Sequence, residues 1–143
     1  MKYQGRTTTA IVVNEEGKVL LVKRATPPFI GFWALPGGRV EKDETVEETI
    51  VREVKEETGL DVQILKKVGE YHEQGIQAGF EYNYYPACFL VKPIGGEAKR
   101  QVSEISEIKF SSFDKIPDTL AFEHSRMLRD YIHSRKQHSI GDN

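Results

Sequence analysis

Cysteine is nearly absent: Cys88 stands alone in 143 residues. That excludes an internal disulfide framework and a zinc site built from several thiolates. No apolar run approaches the ~20 residues needed to span a bilayer. The start of the chain, MKYQGRTTTA, lacks the apolar core of a signal peptide. The default expectation is a cytoplasmic protein with no membrane partner. Charge of one sign is missing too. Twenty basic against 22 acidic side chains leave a formal net charge of −2. Electrostatic capture of a nucleic acid polymer is therefore not indicated. Repeats, linkers and low-complexity segments are also lacking. What is present is an ordinary balance, 38% hydrophobic and 29% charged. That balance suits a single domain with a sizeable core, expected over 1–134 with a frayed polar tail at 135–143.

Periodicity and turn residues sketch the elements. Thr7 to Asn14 reads as a strand, Glu15 to Lys18 as a turn and Val19 to Arg24 as a second strand, together a hairpin. Ala25 to Phe32 is a loop, and Trp33 to Leu35 could pair briefly before Pro36 and two glycines. Val46, Ile50 and Val54 form the apolar stripe of a helix over Thr45 to Thr58, stopped by Gly59. Val62 to Tyr71 reads as a strand and Glu73 to Gly79 as a turn or loop. Phe80 to Lys92 is a long strand, interrupted or ending near Pro86. Ile105 to Phe110 is a short strand, and Leu120 to Ser134 a second helix. Strands mixed with two separated helices predict an α/β or α+β layer architecture.

The span Gly38 to Leu60, GRVEKDETVEETIVREVKEETGL, carries the most information. Glu53, Glu56 and Glu57 fall at i, i+3 and i+4 of the predicted helix and share a face. Like charges at that spacing cost a helix about 0.2–0.5 kcal/mol per pair. Glu56 and Glu57 also sit near the helix C-terminus, the end that disfavours anions. A bound divalent cation reverses the sign of both penalties, because hard cations take carboxylate oxygens. The alternative for three glutamates taken alone is a solvated acidic face.

The whole span resembles the signature of the Nudix hydrolase family, G-x5-E-x7-R-E-U-x-E-E-x-G-U with U bulky and aliphatic. It matches at every specified position, and a chance match per window is on the order of one in a billion. Trp33 to Gly37 also resembles the family's approach to this box. The resemblance implies a Nudix-type α/β/α sandwich, a mixed sheet flanked by helices. It implies Mg²⁺- or Mn²⁺-dependent hydrolysis of a nucleoside diphosphate linked to another moiety. Glu53, Glu56 and Glu57, with the Gly37 carbonyl, would be metal ligands. Glu44 would support the helix start, and Arg52 would orient carboxylates, Glu53 first. The general base would be Glu53 within the box or Glu104 on a later loop, with Glu107 as fallback. A homodimer is plausible for the family. The rival expectation is a non-catalytic nucleotide sensor or interaction module on the same scaffold.

Around the box the readings stay double. Gly38 precedes a helix N-terminus that suits phosphate, or is a plain turn residue. Arg24 could touch phosphate or be surface charge, and so could Lys23. Trp33 and Phe32 could stack on a base or anchor the core. His124 reads as a satisfied packing histidine, His72 as a loop-facing structural residue and Cys88 as a small buried hydrophobe. The resemblance leaves the leaving group open between nucleoside triphosphates and ADP-ribose or NDP-sugar types. One sign is negative: Gly75 stands where many ADP-ribose pyrophosphatases carry proline.

Overall fold

A computed structural model describes residues 2–101 and 103–141, with side chains described for 4–101 and 103–135. Alternation within the apolar strands decides its layers. In β1 (Lys2–Val12), Ala10 and Val12 face one core and Ile11 the other. In β7 (Phe80–Gly96), Ala87, Phe89 and Val91 face the first core, Cys88 and Leu90 the second. A strand buried on both faces needs a layer on each. One helix on either side supplies them: Ile50 and Val54 of α1 (Val46–Thr58) fill the first core, Met127, Leu128 and Tyr131 of α2 (His124–Gly141) the second.

β1 and β7 run parallel, from Lys2 opposite Glu81 to Val12 opposite Val91. The short β4 (Gly37–Arg39) pairs antiparallel with β1, and β5 (Leu60–Glu70) antiparallel with β7. The order is β4-β1-β7-β5, with β6 (Glu73–Gln77) also on β7. A second sheet has β3 (Trp33–Ala34), β2 (Val19–Arg24) and β8 (Ile105–Ser111) in the order β3-β2-β8. The α/β sandwich with a mixed sheet flanked by helices is therefore the observed fold.

Four local expectations need correction. β1 and β2 do not form a hairpin. They enter different sheets, and the pairing between the two segments is limited to the isolated Val13–Val19 bridge. The intervening turn is as expected, held by Asn14 Oδ1 accepting from the N–H groups of Glu16 and Lys18 at 3.0 and 2.9 Å. Residues 73–77 are strand, and only 78–79 form the expected turn: β6 pairs with β7 through a two-residue turn at Ala78 and Gly79, both at positive φ (49° and 84°). Alanine is an unusual first residue for such a turn, which hid the hairpin. Pro86 does not interrupt β7. It sits where the partner changes from β6 to β5, so its missing N–H falls at a break in the ladder, while its carbonyl accepts from Tyr71 N–H at 3.0 Å. Finally, α2 starts at His124 rather than Leu120 and runs through Gly141. Phe122 at φ 52° and the Ala121 N–H bond to the Trp33 carbonyl hold Leu120–Phe122 outside the helix.

Candidate active site

Helix α1 starts and stops sharply, which sets the depth of its glutamates. Thr45 caps it reciprocally with Glu48: Thr45 Oγ1 accepts from Glu48 N–H at 3.1 Å, and Glu48 Oε1 from Thr45 N–H at 2.9 Å. At the other end Gly59 adopts φ 79°, and its N–H reaches the Lys55 carbonyl. Between these ends the apolar stripe lies on the sheet, so Glu57 is buried (7% exposed) and Glu53 half-buried, while Glu56 stays exposed.

Strand β4 lies opposite those carboxylates. Gly37 pairs with Thr9 and Gly38 with Thr8. The Gly37 N–H donates to Glu57 Oε2 at 3.2 Å. Gly38 leaves room for the Glu53 carboxylate, which a Cβ at that position would strike.

Arg52 ties the acidic groups together. Its Nε and Nη2 form a fork on Glu44, at 2.6 and 2.9 Å, while Nη1 donates to Glu53 at 3.0 Å and Glu56 at 3.1 Å. Its principal partner is thus Glu44, not Glu53 as the sequence reading ranked them. Thr49 Oγ1 and Glu41 N–H also donate to Glu44, at 2.7 and 3.1 Å. The Arg52 and Thr49 hydrogen bonds hold the Glu44 carboxyl down at about 2.

Glu53 and Glu57 both shift the other way from Glu44. Burial pushes Glu53 up to about 7 against the pull of Arg52, and burial followed by the Glu53 charge pushes Glu57 well above the carboxylate range. Two desolvated carboxyls that repel each other and offer only oxygen donors suit a hard divalent cation. In their present rotamers no three acidic or histidine side chains among the described residues converge on one point. Glu56 is turned towards Arg52 instead.

A cleft of about 610 Å³, counted out to its open mouth, adjoins these groups. Thr7–Thr9, Gly37, Gly38, Arg39 and Glu57 line it together with Arg24, Glu73, Tyr84, Phe122 and His124. Arg24 lies in the field of Glu57, Tyr84, Glu104 and Glu73, and burial lowers its pKa. The loop after β2 fixes its head: Nε donates to the Pro28 carbonyl at 2.7 Å, and the guanidinium carbon is 5.1 Å from the Phe122 ring centre. Phe122 also meets Phe29, Tyr82 and Tyr84 at ring distances of 4.8, 5.2 and 5.9 Å, making an aromatic wall.

Two buried groups line the cleft together with that wall. His124 Nδ1 accepts the Leu35 N–H at 3.0 Å, which puts the ring proton on Nε2, and burial depresses its pKa to about 3. It is a neutral packing residue, as its sequence context suggested. Glu73 is 3% exposed, its Oε2 accepts the Glu123 N–H at 3.0 Å, and burial raises its pKa to about 7. The 3.8 Å approach of His124 Nε2 to Glu73 Oε2 is no ion pair, because the histidine is uncharged.

Of the site residues expected from sequence, Gly37, Gly38, Glu44, Arg52, Glu53, Glu56 and Glu57 gather in one network, and Arg24 lines the cleft beside it. Glu104 is exposed on the approach to β8, in the field of both Glu53 and Glu57, while its carbonyl accepts from Ala25 N–H. Trp33 is not among the cleft-lining residues. Its ring packs on the α2-side core, with Lys109 Nζ 4.3 Å from its centre. Glu107 pairs with Lys23 at 3.2 Å. His72 stacks on Tyr85 at 4.4 Å, and Cys88 is buried. Sequence reasoning missed Glu73 and Phe122. One acid in a polar run carries no local signal, and Phe122 earns its place only through its positive φ.

The NUDIX domain profile matches residues 4–131. The chain belongs to the NUDIX family. An ADP-ribose pyrophosphatase of Methanocaldococcus jannaschii is 38% identical over 85% of this chain and 69% of its own length. A putative 8-oxo-dGTP diphosphatase of Bacillus subtilis is 34% identical over 85% and 75%. Among solved structures, a MutT NUDIX hydrolase from Burkholderia pseudomallei superposes with a TM-score of 0.78 at 25% identity, covering 89% of this chain and 97% of that one. The NUDIX domain of Shewanella oneidensis NrtR, complexed with ADP ribose, gives 0.71 at 25% identity, covering 94% and 90%. In this Nudix hydrolase the signature span Gly38 to Leu60 runs from β4 through α1 to the first residue of β5. Nudix hydrolases generally need a divalent metal ion.

Proposed function

We propose that this Nudix hydrolase cleaves the pyrophosphate of ADP-ribose, with Mg²⁺ or Mn²⁺ bound by Glu53, Glu56, Glu57 and the Gly37 carbonyl. The observation that carries the reading is the pair of desolvated carboxyls, Glu53 and Glu57, facing the two glycines of β4 at the edge of the cleft. The metal, when bound, would neutralise pyrophosphate charge and acidify the attacking water. Arg52 holds Glu53 and Glu56 in place and is itself oriented by Glu44. Arg24 and Arg39 both line the cleft and would be cations for phosphate, and the ring of Phe122 beside Arg24 suits a nucleoside.

Glu104 is the preferred general base. Its carboxylate has no hydrogen-bond partner among the described residues and stands in the field of both buried glutamates, whereas Glu53 is engaged by Arg52. ADP-ribose is favoured by the archaeal relative and by the ADP-ribose complex of the NrtR domain. A second reading, hydrolysis of 8-oxo-dGTP, is favoured by the Bacillus relative.

The deciding experiment measures product release from ADP-ribose, 8-oxo-dGTP and NDP-sugars with each metal, beside Glu57→Gln. Metal-dependent turnover of ADP-ribose that falls at least ~100-fold in the variant is expected. A loss under about threefold, ~0.7 kcal/mol, removes Glu57 from the site. Tight nucleotide binding without turnover at any metal concentration would instead favour the sensor reading.

A further inference from the structure

Glu73 is the one buried carboxylate in the cleft that the hydrolytic network does not use. It starts β6, the strand that the Ala78–Gly79 turn folds back from β7. The hydrogen bond from Glu123 N–H reaches Oε2, while Oε1 has no hydrogen-bond partner among the described residues. The side chain is 4% exposed and lines the cleft together with Tyr84 and Phe122. Among the described residues the one fully buried side-chain nitrogen or oxygen without a partner is Gln101 Oε1, so Glu73 Oε1 keeps access to the cleft. This unpartnered acceptor sits with Tyr84 and Phe122 of the aromatic wall in the lining of the cleft. Arg24 lies in the field of both Glu57 and Glu73.

We propose that Glu73 is a specificity-determining residue: its Oε1 accepts a hydrogen bond from an N–H or O–H donor on the nucleoside part of the ligand that packs against Tyr84 and Phe122. The inference rests on the hydrolase reading above and extends it to the choice of nucleoside. The chemistry is a hydrogen-bond donor held against an acceptor that the bound ligand buries. A base amine or imine and a ribose hydroxyl are the two possible sources. Discrimination follows because a bound ligand covers Oε1, and one lacking the donor leaves it covered and unpaired. Glu73 lies away from the scissile bond, so the effect belongs in KM rather than kcat.

The test is a double-mutant cycle between Glu73→Gln and ligand analogues. Glutamine keeps an acceptor for the Glu123 N–H but can turn an NH₂ group into the cleft. The ligands are ADP-ribose, its analogue lacking the adenine 6-amino group, and its adenosine-side 2′-deoxy and 3′-deoxy analogues. The wild type should discriminate against one of these by about tenfold or more in kcat/KM. Glu73→Gln should reduce that ratio to below about threefold, with the change in KM. Coupling to the 6-amino analogue identifies the base as the source, and coupling to a deoxy analogue the ribose. Active wild type with no coupling to any analogue overturns the inference and leaves the hydrolase reading standing. Wild type inactive on ADP-ribose overturns both. A purely structural cap would lower thermal stability and leave the analogue ratios unchanged. Should Glu73→Gln not fold, Glu73→Asp, which retracts the carboxylate while keeping its charge, must show the same analogue-specific loss.

Discussion

Gly37 and Gly38 are neighbours in one three-residue strand, yet a methyl group on each should act in opposite ways. At Gly37 the added Cβ runs into backbone, the Thr8 carbonyl and Thr9 Cα of the paired strand. Backbone cannot swing aside, so β4 must move off β1. Overpacking of this kind costs about 1–3 kcal/mol and occasionally more, and a direct backbone collision belongs at the upper end. For a chain of this length that is a fall in Tm on the order of 10 °C. At Gly38 the added Cβ meets only the end of one flexible side chain, the Glu53 carboxylate. That carboxylate can rotate away at a cost of about 1 kcal/mol, so Tm should drop by no more than ~4 °C. Glu53 then leaves its place opposite β4, and displacement of a catalytic group by about 1 Å can cost ~100-fold in rate. Thermal melts and steady-state kinetics on Gly37→Ala and Gly38→Ala check both halves. Equal losses of Tm in the two variants, or a Gly38→Ala enzyme keeping more than a third of wild-type kcat/KM, would refute the reasoning.

Three other outcomes are expected. Glu104→Gln should lower kcat at least ~100-fold, the scale of a lost general base, with KM and Tm nearly unchanged; a full-rate variant would return the base to Glu53. Adding Mg²⁺ or Mn²⁺ to the wild type should raise Tm, while Glu57→Gln should lose most of that rise. An equal rise in both proteins would place the ion elsewhere. The buried Glu73 carboxyl, at about 7, binds its proton more tightly folded than unfolded. Its contribution to stability is complete below pH ~4.5 and is lost as pH rises through about 7, an upper bound of ~3 kcal/mol. Urea melts of Glu73→Gln and wild type should therefore diverge in the variant's favour between pH 4.5 and 8, and a pH-independent difference would contradict the assignment.

The parts legible in the sequence were those with short-range logic. Val46, Ile50 and Val54 fix which way α1 faces, and that alone puts Glu57 inward and leaves Glu56 outside. The Thr45–Glu48 capping box was present to be read as well. Illegible features depend on residues far apart in the chain. Whether Thr7–Asn14 pairs with Val19–Arg24 or with residues 81–91 turns on which layers cover each strand. Either pairing suits the local pattern. Pro86 looks like a break until β5 and β6 are seen to divide β7 between them. Arg52 has carboxylates within reach on both sides, and only the position of Glu44 before the helix decides its fork. Glu73 is ordinary until the fold buries it.

The parallel pairing of β1 with β7 has a consequence for how the chain is made. Every signature residue lies before residue 61, but the sheet on which α1 rests is completed by a strand that starts at Phe80. During synthesis the N-terminal strand must wait for a partner about eighty residues downstream, and such non-local pairing is slow to form. A chain cut after Glu70 would therefore carry the whole motif with β1, β4 and β5, but not β7, the strand that joins β1 to β5 beneath it. The interval between making the signature and seating it is when Ile11 and Val12 lie uncovered, and it is then that aggregation competes with folding.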